Sequence, residues 1–184
     1  MHRMGMVMCG FAIGMAPGGL MAQATPPAQT GPVIADYGAV YTVSDPDFPT
    51  PRDRQLRVVF DVSTAPDSVS AINPRIETVA RFLNMHAQAG VPAANLDVAL
   101  VLHGGSGKYA LSDAAYRARF GTANPNLPLL RALHAHGVRI ILCGQTAAHR
   151  GFSRAELAEP VELALSAMTA LVTLQNAGYA LIRF

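Results

Sequence analysis

A single cysteine stands where a nucleophile would be placed. Cys143 closes the apolar run Gly137-Val-Arg-Ile-Ile-Leu-Cys143, and the small polar turn Gly144-Gln-Thr146 follows it. This pattern sets a thiol at the carboxyl end of a strand, next to the start of a short helix. The other cysteine, Cys9, lies in an apolar N-terminal stretch that reads as a cleavable leader. An unpaired thiol in an exported chain makes no internal disulfide. It is inert packing, an intermolecular link or a reactive group. Free cysteine packs readily as a small hydrophobe, but the strand-end position, with Gly144 giving access, favours the reactive reading.

His103 is the imidazole best placed to assist that thiol. It ends the apolar run Leu96 to Leu102, so ring and thiol can meet at one sheet edge. A neighbouring imidazole brings a thiol from its ordinary pKa of about 8.5 toward neutrality. The competing role for His103 is a ring bonded to a loop carbonyl.

The segment His103-Gly-Gly-Ser-Gly-Lys108 superficially suggests a phosphate loop. The pattern Gly-x4-Gly-Lys-Ser/Thr needs glycine where Leu102 stands and a hydroxyl residue where Tyr109 stands. Nucleotide hydrolysis is therefore set aside. The loop reads instead as a flexible turn, with amides at Gly104 and Gly105, and at Gly144 and Gln145, able to face a small anion. Lys108 could add positive charge there, although an exposed lysine is ordinarily only solvated. Soft sulfur with imidazole also suits copper or zinc, so Cys143 with His103 or His149 is a metal alternative. No compact ligand spacing such as Cys-x2-Cys is present. We assign no resident metal and expect no cofactor. His86, His134 and His136 read as surface residues.

These groups need a scaffold. Leu56 to Val62 is a compact β-branched and aromatic run, hence a strand. Asn73-Pro-Arg75 opens a helix with a good cap and an early proline; Ile76, Val79, Ala80, Leu83 and Ala87 keep helical spacing to Gly90. Leu96 to Leu102 is a second strand, apolar enough to be covered on both faces. Residues 112–120 read as helical, and Leu129, Leu130 and Leu133 mark a crossover helix ending at His136-Gly137. Val138 to Leu142 is the third strand and delivers Cys143. Ser153-Arg-Ala-Glu156 is a capping box. The spacing then predicts a helix from about Pro160 to Asn176, apolar nearly all round and so packed on several sides, another subunit included. Tyr179 to Phe184 closes the chain as a last strand.

Such alternation predicts an α/β fold: a three-layer sandwich with a mostly parallel sheet and helices on both faces. Right-handed crossovers put every strand's carboxyl end on one edge, where ligands bind. Asp61 to Thr64, His103 to Lys108 and Cys143 to Gln145 converge there.

Three segments follow from composition. Residues 1–24 read as a signal peptide: a basic start at Arg3, an uncharged run from Met4 to Leu20, and small residues at Ala22-Gln-Ala24. Pro17 and the lack of a basic stop-transfer cluster argue against a stable membrane anchor. Cleavage near Ala24 and export to the periplasm of a Gram-negative source are expected. Residues 25–55 hold six of the thirteen prolines, which excludes helix and predicts an extended arm on the domain or a neighbour. Residues 56–184 form the folded domain. The net charge of +2 has no clustered basic face, so no nucleic-acid partner is expected.

The chain from Leu56 to Phe184 resembles the DsrE/DsrF-like family, in its exported single-domain branch. The resemblance rests on Gly137-Val138, the short strand, Cys143, and Arg150-Gly151-Phe152 six residues beyond. The His103-Gly-Gly loop and the closing Leu174-Gln-x2-Gly-Tyr179 add to it. It implies the three-layer α/β fold and trimeric or hexameric assembly. It also implies, from relay members, a cysteine that carries sulfur as a persulfide between donor and acceptor proteins. Gly144-Gln145 departs from the relay members' continuation, and those members are cytoplasmic. The reading is thus a periplasmic thiol-based sulfur or redox carrier using Cys143. The alternative is a non-catalytic oligomeric module that binds a small anion or a metal at the same edge.

Overall fold

The computed structural model describes Met1 and residues 26–183; the leader reading, Cys9 included, lies outside the described residues. From Leu56 onward the expected alternation is present. β1 (Leu56–Val62), β2 (Leu96–Leu102), β3 (Arg139–Cys143), β4 (Val161–Ala164) and β5 (Ala180–Arg183) form one sheet in the order β4-β3-β2-β1-β5. All four pairings are parallel, with Leu102 level with Val62 and Leu142 level with Leu102. The sheet is therefore wholly parallel.

Two unequal layers cover it. On one face α1 (Pro74–Gln88), α2 (Asp113–Phe120) and α3 (Leu127–Ala135) bury Ile76, Val79, Leu83, Tyr116, Leu129, Leu130 and Leu133 in one core with Val58, Phe60, Leu100, Leu102, Ile140 and Leu142. The Asn73 side chain caps α1 by accepting from the Arg75 amide, as its sequence suggested. On the other face a single ten-residue helix, α5 (Ala167–Asn176), sets Ala167, Ala170 and Leu174 over Val59, Ala99, Val101, Ile141 and Cys143. Strand alternation separates the two sets, so odd-numbered positions of β1 and β3 face α5.

Three expectations need correction. Residues 160–176 are not one helix: Val161–Ala164 pairs with β3 as an edge strand, and the helix restarts at Ser166, whose hydroxyl accepts from the Thr169 amide (3.0 Å). Within the chain that helix leaves Met168 and Val172 exposed, with Leu165 exposed just before it. The glycine loop is not a flexible turn: Gly104–Ala110 winds as a 3-10 segment with Ser106 to Ala110 buried. Lys108 is buried too, its ammonium over the rings of Tyr109 and Phe120 at 5.1 and 5.8 Å from their centroids.

The Pro-rich arm lies on its own domain. Buried Asn84 of α1 binds it through both ends of its amide: Oδ1 accepts from the Val33 and Ile34 amides, and Nδ2 donates to the Ile34, Tyr37 and Gly38 carbonyls. Gly38 sits so close to the Ala80–Arg81 backbone that no side chain fits there.

Candidate functional site

The site begins with parity and register. Extending the β2–β3 pairing one step beyond Leu102 and Leu142 brings His103 beside Cys143. His103 keeps extended backbone angles, and its amide still donates to the Val62 carbonyl (3.1 Å), so it retains the strand's alternation. Asp61 lies one residue before the end of β1, on the same face. Asp61, His103 and Cys143 thus stand on three adjacent strands and line one cavity of about 310 Å³. Gln145, Ser166, Ala167, Met168, Leu171 and Arg183 complete its wall.

Cys143 is 6% exposed and occupies the N-cap position of the short helix α4 (Gly144–Arg150). Burial pushes its thiol pKa up. The Thr146 hydroxyl and the backbone amides of Thr146, Ala167 and Gln145 act in the opposite sense and prevail, leaving the pKa below the ordinary thiol value. Gly144 makes this packing possible: a Cβ there would run into the carbonyl oxygens of Ala164 and Leu165. The Gln145 side-chain amide donates to the Leu165 carbonyl (3.4 Å), tying the same turn to α4.

His103 donates from Nε2 to Asp61 Oδ1 at 2.7 Å. Asp61 is itself 6% exposed, and its other oxygen lies 3.5 Å from Arg183 Nε. A carboxylate this deep in a strand is costly unless paired, and here it has two cationic or donor partners. The competing role expected for His103, a bond to a loop carbonyl, is not what its ring makes.

The other candidates fall elsewhere. The Gly104 amide donates to Thr146 Oγ1 (3.1 Å) and the Gly105 amide to the Ser63 carbonyl (2.7 Å). Both are engaged within the fold, and neither glycine lines the cavity. Lys108 does not line it either, and burial followed by the nearby Arg150 charge lowers its pKa. His149 is exposed and also absent from the cavity wall. Among the described residues, no three His, Cys, Asp or Glu side chains gather closely enough to hold a metal ion. A wider groove of about 670 Å³ at the start of α1, lined by Thr64, Arg75 and Arg81, carries no thiol.

Sequence reasoning located Cys143, His103 and Gln145 but gave Asp61 no role, and it missed Arg183, Ser166 and Thr146. Ser166 had a legible signal, an N-cap serine three residues before Thr169. Arg183 reaches Asp61 only because β5 pairs with β1.

Similarity to known proteins agrees with this architecture. None of the curated proteins matches the chain. Two solved structures share its fold. One is MTH1491 from Methanobacterium thermoautotrophicum, a protein of unknown function, at 22% identity and a TM-score of 0.52. The other is the ychN protein from E. coli, at 19% identity and a TM-score of 0.50. Each alignment covers 71% of this chain and 100% of the other. The sequence from residue 57 to residue 184 matches the DsrE/DsrF-like family, which spans the whole sheet and the Cys143 cavity, and the chain belongs to that family.

Proposed function

We propose that this protein is a thiol-based sulfur carrier in which Cys143 bears the sulfur as a persulfide. The observation that carries the reading is a cysteine at a strand's carboxyl end with its thiolate favoured, opening onto a cavity shared with His103. The thiolate attacks the outer sulfur of a donor persulfide, R–S–SH. The donor's S–S bond breaks, R–S⁻ leaves, and Cys143–S–SH remains. Delivery repeats the exchange: an acceptor thiolate takes the outer sulfur and Cys143 departs as thiolate. One S–S bond forms for each that breaks, so no external oxidant or reductant is needed. The amides of Gln145 and Thr146 stabilise Cys143 as nucleophile and as leaving group alike.

The leader reading adds export to the periplasm to this proposal, and the exposed apolar side of α5 adds self-association. Intact mass of protein purified without reductant is the direct test. Wild type incubated with a small-molecule persulfide should gain one reducible sulfur, mapping to Cys143. Cys143→Ser should gain none while keeping its circular dichroism spectrum. Sulfur loading retained in that variant overturns the assignment.

A further inference from the structure

We propose that Asp61 is a positioning residue for the Cys143 thiol, acting through His103. The proposal rests on the reading above in taking Cys143 as the nucleophile, and it assigns the proton's destination. Three observations carry it.

The first is placement. Asp61 interrupts an otherwise buried apolar strand, where Val58, Val59, Phe60 and Val62 are all 4% exposed or less. A carboxylate in such a run packs no better than a hydrocarbon and costs desolvation, so its presence calls for a polar task. The second is partnership. Its short bond goes to the imidazole at 2.7 Å, whereas Arg183 approaches at 3.5 Å from a side chain that is 69% exposed. Arg183 offsets charge at the rim, and His103 is the group that Asp61 orients. The third is what remains. With Nε2–H committed to Asp61, Nδ1 is the ring's remaining acceptor nitrogen. The backbone of His103 is also fixed, by its amide's bonds to the Val62 carbonyl and to Ser106 Oγ (3.2 Å). Ring, carboxylate and thiol therefore share one cavity face, with the ring between the other two in strand order.

The chemistry is a proton transfer. The Cys143 Sγ–H proton passes to Nδ1, the S–H electron pair stays on sulfur, and the imidazolium formed is held against the Asp61 carboxylate. Nothing is oxidised or reduced. When Cys143 leaves during delivery, the same proton can return. A thiol, an imidazole and an orienting carboxylate in sequence is an arrangement known to activate nucleophiles on unrelated folds.

The test is the rate of Cys143 alkylation by iodoacetamide at neutral pH in wild type, Asp61→Asn, His103→Gln and the double variant. Asp61→Asn should slow alkylation about tenfold, the scale of losing one hydrogen bond to a charged group. In the His103→Gln background the same change should have no further effect. An equal slowing in both backgrounds, or none in either, overturns the proposal. Because Asp61→Asn could unfold the chain, a second measurement uses wild type alone. Nitrogen NMR of the neutral His103 ring should show the proton held on Nε2, and free exchange between the two tautomers overturns the assignment. Sulfur uptake is scored separately on wild type. A protein that never takes up sulfur yet shows the coupled loss of alkylation defeats the carrier reading and leaves this one standing.

Discussion

A thiol with 6% exposure is ordinarily a poor nucleophile, because burial disfavours the thiolate. Cys143 departs from that rule through its neighbours, and Thr146 is the side chain among them. The sign of the resulting pH dependence follows directly. The thiolate is the reactive form, so a depressed pKa keeps Cys143 reactive below the pH at which an ordinary thiol falls silent. Thr146→Val deletes one lowering influence, and also the acceptor of the Gly104 amide. The midpoint of alkylation rate against pH should move upward in that variant, and an unmoved midpoint would show that the hydroxyl does nothing for the thiolate. Cys143 and His103 were legible because each ends an apolar run, where strand logic puts chemistry. Strand order set Asp61 at the same edge but not as the partner of His103, since nothing local says which side chain a carboxylate inside Leu56–Val62 will meet. Its true surroundings depend on α5 lying across that face and on β5 delivering Arg183, neither of which local pattern reveals.

Elements hold these residues to their places, and the one between Pro160 and Asn176 shows where pattern reading fails. Val161, Leu165, Met168, Leu171 and Val172 satisfy helical spacing, so the segment reads as a single helix. Two features break it. Val161–Ala164 gives β3 its second parallel neighbour, with Glu162 pairing to Arg139 (2.7 Å) across the strands, and Ser166 supplies a fresh N-cap. Tertiary pairing outweighs periodicity in a four-residue strand too short to declare itself. The break matters because the β4–α5 turn is what α4 packs on. Gly144 touches the Ala164 and Leu165 carbonyls, and Gln145 bonds to the latter. Gly144→Ala must push α4 off that turn. It should cost about 1–3 kcal/mol, the usual range for overpacking a filled site, measured as a lowered urea midpoint. It should also slow Cys143 alkylation. A variant of unchanged stability would mean that the turn yields freely and does not set the thiol's position.

The sheet as a whole is covered unequally, and this asymmetry bears on how the protein exists in solution. Parallel sheets are ordinarily buried on both faces. Here α1, α2 and α3 cover one face, while the other has α5 alone, which buries Ala167, Ala170 and Leu174 and leaves Leu165, Met168 and Val172 exposed at 73, 73 and 57%. Leu181, on edge strand β5 and level with Val59, extends the apolar surface to one side. The alternation of strands and helices made the layers foreseeable from sequence. Which layer would be thin was not, because a helix apolar on all sides looks the same whether its second face meets the domain or another molecule. Self-association through α5 is part of the function proposed above, and it would place a neighbour over Met168 and Leu171, two walls of the Cys143 cavity. Burying side chains of this size is worth about 1.5–3 kcal/mol each. Leu165→Asp combined with Met168→Asp should therefore reduce an oligomer to monomers in light scattering, with the fold intact by circular dichroism. If wild type is itself a monomer at micromolar concentration, or if the double variant keeps its assembly, α5 is not the contact. In that case the cavity stays open to solvent on its outer side, and the thiolate is supported by Thr146, the surrounding amides and His103 with no neighbouring subunit over them.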